Sequence, residues 1–177
     1  MSAEDAYMRL ARAADKGDTA RIFDALDTPT QWSIESVQHA QREMRTLILA
    51  SYPPEEKARA LARIPAAAEE DEEHPRRYFR RIDTSQSVLD DVLHRIHVGE
   101  GKPVGTVDDR LRTATVWRAG GSIFHFAADK DGRWGWAEQR EQWENNKLRA
   151  THDLETVREN AAIYEGQKPP PRPAPVN

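Results

Sequence analysis

The fold is decided by residues 113–164, which read TATVWRAGGSIFHFAADKDGRWGWAEQREQWENNKLRATHDLETVRENAAIY. The first part of this stretch contains three short runs rich in β-branched or aromatic residues, at 113–117, 122–126 and 133–136. Such runs are typical of strands. The turn sequences Ala-Gly-Gly and Asp-Lys-Asp-Gly separate them. Because short turns favour pairing between sequential strands, the stretch predicts an antiparallel β-meander.

The tryptophans of these strands are candidates for the hydrophobic core. Trp134 and Trp136 are two residues apart, so they lie on one face of a strand. We predict that both are buried against helices from the N-terminal half of the chain. Trp117 is a candidate to join them.

The rest of the stretch predicts a long helix at 138–164. Its seam positions recur at alternating spacings of four and three, the a/d pattern of a heptad, at Trp143, Lys147, Ala150, Leu154, Val157, Ala161 and Tyr164. Lys147 and the alanines make this seam thin, so we expect the helix to pack on its own sheet or on the first helices. Packing on a partner chain is one alternative. A second helix that begins at Thr151 after a kink is another.

The N-terminal half is predicted to be helical because its apolar residues recur at helical spacing. Ser2 and Asp5 resemble a capping box at the start of the first helix. Gly17 is placed to end that helix, and Asp18 is placed to cap the second. Thr28, followed by Pro29, is predicted to cap the third helix.

Further signals complete the order of elements. Pro53-Pro54 is predicted to end the third helix and to begin a short fourth one. Apolar residues at helical spacing predict another helix around 88–96. Residues 99–105 are interpreted as a connection, and 104–107 as a candidate edge strand.

These elements predict an α+β fold: a helical N-terminal half packed on a small antiparallel β-meander, followed by a long C-terminal helix. The length of 177 residues suits a single domain at 1–165. A Pro-rich tail at 166–177 is expected to be flexible. Five consecutive acidic residues at 69–73 mark an internal linker or exposed loop.

The composition bounds the class of protein. Apolar residues at 38% and charged residues at 32% indicate a soluble chain with a modest core. No apolar run of about 18 residues occurs, so no transmembrane segment is expected. The start of the chain lacks the basic and apolar regions of a signal peptide. Localisation, cytoplasmic or periplasmic, stays open at this point.

The charge and the cysteine count exclude several functions. A net charge of −4 argues against general nucleic-acid binding, which needs a basic surface to neutralise phosphates. The chain has no cysteine, which excludes disulfides, thiolate metal sites and cysteine nucleophiles. We expect a monomer or a weak dimer whose partner is a protein or a small ligand.

A basic and aromatic cluster at 76–81 is the local exception to this acidity. Four arginines surround Tyr78 and Phe79 there. We interpret the arginines as a solvated rim beside an anchored helix, and RNA or phosphate binding is the alternative. Together with the aromatic meander, this cluster supplies the residues of a candidate ligand or partner surface: Trp117, His125, Trp134, Arg76, Arg77 and Tyr78.

Motifs for catalysis or metal binding are weak. His94 and His97 share a helical face, and His125 is a possible third ligand, but no carboxylate has the characteristic ligand spacing. No nucleophile elbow, phosphate-binding loop or catalytic triad is readable. We therefore predict no catalytic residue, no metal and no cofactor, and an enzyme is the less favoured reading.

Two segments carry a resemblance to a known family. Tyr7-x-x-Leu10-x-x-Ala13-x-x-x-Gly17-Asp18-x-x-x-Ile22-Phe23-x-x-Leu26 and the terminal phrase Asp131-Gly132-Arg133-Trp134 resemble the ketosteroid-isomerase-like (nuclear-transport-factor-like) superfamily. The resemblance covers the regions 7–26 and 131–136. It implies helices packed into the concave side of a curved antiparallel sheet, often around a pocket. The helical middle of the chain and the long final helix depart from that pattern.

Three functions remain open from the sequence. The first is a non-catalytic binding or scaffolding domain, with the soluble part of a bacterial cell-envelope protein as one setting. The second is a small-ligand binder or enzyme with a cone-shaped pocket. The third is a partner-neutralising protein of the immunity type, which the acidity favours.

Overall fold

The computed structural model describes residues 2–68 and 74–166, so the acidic run at 69–73 and the tail beyond Gly166 lie outside the described residues. A short 3-10 turn, Ala66–Ala68, follows the fourth helix. The helices and strands occur in chain order as α1 Ala3–Asp15, α2 Thr19–Ala25, α3 Thr28–Ser51, α4 Pro54–Leu61, α5 Pro75–Arg81, α6 Asp83–Ile96, β1 Glu100–Asp108, β2 Thr113–Ala119, β3 Phe124–Ala128, β4 Trp134–Trp136 and α7 Arg140–Tyr164. The predicted α+β order is confirmed: helices first, then a meander, then a long helix.

The four strands form one antiparallel sheet in the order β1-β2-β3-β4. The candidate edge strand at 104–107 is confirmed, and it is longer than predicted. The interpretation of 99–105 as a connection is wrong, because Glu100 already pairs with Ala119 of β2. A bulge between Glu100 and Val104 interrupts the alternation of side chains between the two faces of the strand. The sequence of this segment therefore does not show the two-residue period from which a strand is predicted.

The inner face of the sheet packs on α1. The Tyr7 ring meets the Phe124 ring edge-on with centroids 5.2 Å apart, and Phe124 lies 6.4 Å from Trp136. Trp136 is fully buried, as predicted. Trp134 is only half-buried because it lies at the edge strand, where its carbonyl accepts a hydrogen bond from Arg9. Trp117 lies on the opposite face of the sheet, so it does not join the core.

The longest helices, α3 and α7, pack side by side and run in the same direction. Three contacts join residues separated by a nearly constant 113 to 115 positions: Asp27 with Arg140, Ser51 with Glu165, and Glu43 with Arg158. A constant separation means that both chains advance together, so the pair is parallel.

The heptad seam of α7 therefore finds its partner within the chain. Trp143, Ala150 and Leu154 are buried. Of the two surfaces expected within the chain, the sheet is wrong and the N-terminal helices are right, because α7 packs on α3. The kink alternative is wrong as well, since α7 is continuous and Thr151 Oγ1 bonds the Lys147 carbonyl (2.9 Å) within it.

The ends of the helices follow the capping signals with one correction. The capping box of Ser2 and Asp5 is present, and Gly17 ends α1 with φ +63°. Asp18 caps α2. Asp27, rather than Thr28, caps α3: its Oδ1 accepts a hydrogen bond from the Thr30 amide at 3.1 Å. An aspartate one residue upstream is as strong a cap as threonine, and Pro29 then lies at the second helical position.

No helix among residues 2–68 and 74–166 combines the length and the apolar character that a membrane span needs.

Candidate functional site

A cavity of about 490 Å³ opens between α3, α5 and α7, with the segment after α4 at its rim. Its floor is formed by buried apolar side chains of the seam between α3 and α7 and of the segment after α4. The floor residues are Val37, Met44, Ile64, Trp143 and Ala150.

A second cavity of about 370 Å³ continues the first along the same pair of helices. The two share Met44, Arg63, Ile64 and Asp153, so they are parts of one groove, which we call the α3–α7 cleft. It runs from Trp143 to Tyr164, roughly 30 Å at 1.5 Å per helical residue. That length suits an extended or helical polypeptide segment better than a compact metabolite.

The cleft contains buried hydrogen-bonding groups beside its apolar floor. The Tyr78 hydroxyl donates to Gln41 Oε1 at 2.8 Å, and burial raises the pKa of Tyr78 to about 12, so this hydroxyl stays protonated at neutral pH. Trp143 is only 2% exposed, and its Nε1 has no hydrogen-bond partner. An unpaired buried indole N–H is uncommon, because leaving such a donor unsatisfied costs about 1–3 kcal/mol.

Charged side chains line the rim. Arginines outnumber carboxylates there: Arg59, Arg63, Arg81 and Arg149 face Glu56, Asp83 and Asp153. Within the described parts of the chain, the guanidinium groups of Arg63 and Arg149 make no hydrogen bond or ion pair. The cleft is thus slightly basic in a chain whose net charge is −4.

Helix α4 forms one wall of the cleft and has little buried surface. Helix α4 contributes Glu56, Arg59 and Ala60 to the lining, yet none of its residues is buried. One contact that fixes it to α3 is the hydrogen bond from Lys57 Nζ to the Leu49 carbonyl, at 2.7 Å. A wall with so little buried surface can shift at low cost, which suits a cleft that must admit a bulky segment.

Of the predicted surface residues, Trp117 and His125 lie together on the outer face of the sheet. Thr115 of β2 pairs with His125 of β3, and Trp117 is two residues further along β2. A shallow groove of about 380 Å³ on the sheet is lined by Thr106, Thr115 and His125, among others.

An ion pair beside this face fixes the start of β3. Arg95 donates to both oxygens of Glu138, at 2.6 and 3.0 Å, and the His125 amide donates to the same carboxylate at 2.8 Å. Burial opposes the charge of Arg95, but the hydrogen bonds and charges of Glu138 and then Asp91 outweigh it and raise the pKa of Arg95. These groups are satisfied by one another, so they act as a structural clasp.

The other predicted surface residues lie elsewhere, and the structure does not unite the set. Trp134 is on the inner face at β4. On α5, Arg76 pairs with Asp24 at 3.0 Å, Arg77 is exposed, and Tyr78 is buried in the cleft wall. Only Tyr78 therefore belongs to the α3–α7 cleft.

The histidines do not converge on one point. His94 and His97 are exposed at the end of α6, and His97 Nε2 lies 3.5 Å from Asp15 Oδ1. His125 is exposed on β3. Among the residues that the structure describes, no group of three or more histidine, aspartate or glutamate side chains is placed to hold a metal ion.

The residues at the centre of the cleft were not singled out by the sequence analysis. Arg149 and Asp153 flank the heptad seam of α7 four residues apart, and Arg59 and Arg63 have the same spacing after Pro54. That spacing was the available signal. This four-residue spacing is informative only when it is known that α7 packs on α3, because the packing of these two helices decides which side of the α7 seam faces α4.

No family model, curated protein or solved structure matches this chain. The resemblance to the ketosteroid-isomerase-like superfamily therefore stays a prediction. In this chain Tyr7, Phe124 and Trp136 fill the space between α1 and the sheet.

Proposed function

We propose that this protein is a non-catalytic binding domain that takes a segment of a partner protein into the α3–α7 cleft. The observation that carries the proposal is the cleft itself: an open groove roughly 30 Å long with an apolar floor. At its rim lie Arg63 and Arg149, which pair with none of the residues that the structure describes. Amphipathic helices and extended peptides bind in grooves of this kind.

The chemistry of the lining sets the chemistry of the segment. Apolar side chains of the segment would pack on the apolar lining residues that keep accessible surface, which are Ala60, Ile82, Val157 and Tyr164. Carboxylates would reach Arg63 and Arg149. The partner segment is therefore acidic and amphipathic.

The test is a selection from a library of random peptides displayed on phage, followed by affinity measurement of the enriched peptides by fluorescence anisotropy. We expect enriched peptides to combine acidic and apolar residues. The double variant Arg63→Glu/Arg149→Glu should bind them at least about tenfold more weakly, which corresponds to ~1.4 kcal/mol.

The matched control is Arg12→Glu/Lys130→Glu, which makes the same change in net charge at two exposed positions outside the cleft. It should bind the peptides as the unmodified protein does. Equal weakening by both double variants would show that only net charge matters. Peptides that bind the Arg63→Glu/Arg149→Glu protein with unchanged affinity would overturn the proposal.

A further inference from the structure

A cavity between α1 and α2 is a second candidate site, separate from the α3–α7 cleft. Arg9 and Arg12 are three positions apart on α1, so they lie on one face of that helix. Gly17 adopts φ +63° in the turn after α1, and α2 packs back on α1. Arg21 of α2 therefore lines the same cavity, whose volume is about 280 Å³. We call this cavity the α1–α2 pocket.

Arg9 is the fixed member of this set of arginines. Its Nη2 donates to the Trp134 carbonyl at 3.1 Å, which holds the half-buried side chain in place. Its Nε is buried and finds no hydrogen-bond acceptor among the residues that the structure describes. Arg9 therefore brings a positive charge to the pocket with a neutral carbonyl as its acceptor. A partly buried cation in this situation is stabilised by an anion that pairs with it.

A fourth arginine adds to the positive charge of the pocket. Arg133, in the turn before β4, donates from Nη2 to the Asp24 carbonyl at 2.9 Å, and Asp24 lines the pocket. Burial first and the charge of Arg133 second lower the pKa of Arg9, and the charge of Asp5 offsets only part of this effect. Cations held close together in partly buried positions repel one another. An anion bound among them reduces that repulsion.

The carboxylates around the α1–α2 pocket already have partners. Asp24, the lining carboxylate among the described residues, forms an ion pair with Arg76 of α5 at 3.0 Å. Asp18 caps α2, and its Oδ2 lies 3.3 Å from Nε of Arg21. Asp5 belongs to the capping box of α1. The acidic side chains of the protein thus leave the arginines of the pocket short of negative charge.

We propose that the α1–α2 pocket binds a phosphoryl group, either as inorganic phosphate or as part of a phosphate monoester. Arg9, fixed by the Trp134 carbonyl, forms one side of the site. Arg12 and Arg21 are exposed and line the pocket from α1 and α2. The pair of Arg21 with Asp18 uses Nε, so the two terminal nitrogens of this guanidinium can donate to a ligand.

The number of arginines favours a phosphoryl group over a carboxylate. A carboxylate has one charge and two oxygens, and a single guanidinium pairs with both oxygens. A phosphoryl group carries up to two negative charges and three acceptor oxygens, so it can receive several guanidinium groups from different directions. The other lining residues, Ala13 and Ala25, have small side chains. A volume of about 280 Å³ has room for the phosphoryl group and for part of the molecule that carries it.

The experiment is isothermal titration calorimetry at low ionic strength with three probes: inorganic phosphate, phenyl phosphate and benzoate. Both phosphoryl probes should bind at least about tenfold more tightly than benzoate, which carries a carboxylate on the same ring. Tighter binding of phenyl phosphate than of inorganic phosphate assigns the pocket to monoesters, and the reverse order assigns it to free phosphate.

Two double variants test the position of the site. Arg12→Gln/Arg21→Gln should bind both phosphoryl probes at least about tenfold more weakly, because it removes two guanidinium groups from the pocket. The matched control is Lys102→Gln/Arg110→Gln, which removes the same charge at two exposed positions in β1 and in the turn after it. It should bind the phosphoryl probes as the unmodified protein does. Circular dichroism of each variant checks that these exposed substitutions leave the fold intact.

Three results would overturn the proposal. The first is a protein that binds neither phosphoryl probe up to about 10 mM, or that binds benzoate as tightly as both. The second is equal weakening by the two double variants, which would show that only net charge matters. The third is a loss of binding in Arg63→Gln/Arg149→Gln with none in Arg12→Gln/Arg21→Gln, which would place the anion at the rim of the α3–α7 cleft. The pocket and the cleft share no lining residue among those described, so the outcome is independent of peptide binding in the cleft.

Discussion

Arg140, the first residue of α7, donates from Nε to Oδ2 of Asp27 at 2.8 Å, and Asp27 is the residue that caps α3. The two oxygens of the Asp27 carboxylate accept hydrogen bonds from different helices: Oδ1 from the Thr30 amide of α3, and Oδ2 from the Arg140 side chain of α7. The Asp27 amide donates to the Trp136 carbonyl at 3.0 Å. Asp27 is only 3% exposed. One buried residue thus ties the starts of both long helices to β4.

We expect the ion pair between Asp27 and Arg140 to contribute more to the free energy of unfolding than the more exposed ion pair between Glu43 and Arg158. Arg140→Gln leaves the Asp27 carboxylate buried without its cation and should lower the free energy of unfolding by about 2–4 kcal/mol. The control is Arg158→Gln, whose partner Glu43 is partly exposed, and it should cost less than about 1 kcal/mol. Urea denaturation measures both, and equal losses would contradict the assignment.

The cap and the ion pair can be separated at Asp27. Asp27→Asn keeps a capping oxygen and loses the charge, whereas Asp27→Ala loses both. Because asparagine caps as well as aspartate, the alanine variant should be less stable than the asparagine variant by about 1 kcal/mol. If the two variants are equally stable in urea, the hydrogen bond to the Thr30 amide contributes nothing.

Trp136 should dominate the stability of the meander. Its side chain is fully buried against α1 and β3, so Trp136→Ala is expected to cost about 3–5 kcal/mol. Trp32, 64% exposed on α3, is the matched control, and Trp32→Ala should stay within about 0.5 kcal/mol of the unmodified protein. A loss below about 0.5 kcal/mol at Trp136 in denaturant titrations would mean that the hairpin is a surface feature.

The predictable parts of this fold were those with strong local signals. The capping box at Ser2, the glycine stop at Gly17 and the aromatic alternation through Trp136 each depend on residues within a few positions of one another. They therefore appear in the sequence. The same is true of the thin heptad seam, which correctly indicated that Trp143 and Leu154 are buried.

The partner of that seam was not predictable, because it depends on a contact between residues about 114 positions apart. Nothing local distinguishes packing on the sheet from packing on α3. The cleft arises from this pairing, so Arg63 and Arg149 could not be recognised as neighbours. Gly101 and the bulge similarly hid the start of β1, since a bulge breaks the two-residue period that strand prediction relies on.

Tyr78 should make the protein sensitive to alkali. Burial raises its pKa from about 10 to about 12, and the hydrogen bond to Gln41 offsets only part of the effect. The folded state therefore holds its proton more tightly than the unfolded state does. This contribution to stability is complete below about pH 10 and disappears as the pH rises towards 12.

The expected loss from this group is about 1 kcal/mol between pH 9 and pH 11. Tyr78→Phe cannot ionise, so its stability should fall less than that of the unmodified protein over this interval. Tyr164→Phe, which replaces a tyrosine that is 44% exposed, should keep the full loss. Urea titrations at pH 9 and pH 11 measure the free energy of unfolding of each protein. If it falls by the same amount between the two pH values in Tyr78→Phe and in the unmodified protein, Tyr78 does not cause the loss.

Two truncations test whether α7 is part of the core. Removal of residues 145–177 deletes Ala150, Leu154 and Ala161 and uncovers the apolar stripe of α3, so we expect unfolding or aggregation. Removal of 167–177 leaves α7 and its final hydrogen bonds from Glu165 and Gly166 in place, and stability should stay within about 0.5 kcal/mol. Circular dichroism melts and size-exclusion chromatography compare the two chains. If the chain that lacks residues 145–177 stays monomeric and as stable as the full chain, α7 is an independent arm and the cleft beside it is not a fixed site. Binding of a partner by the helix itself then becomes the better account of its function.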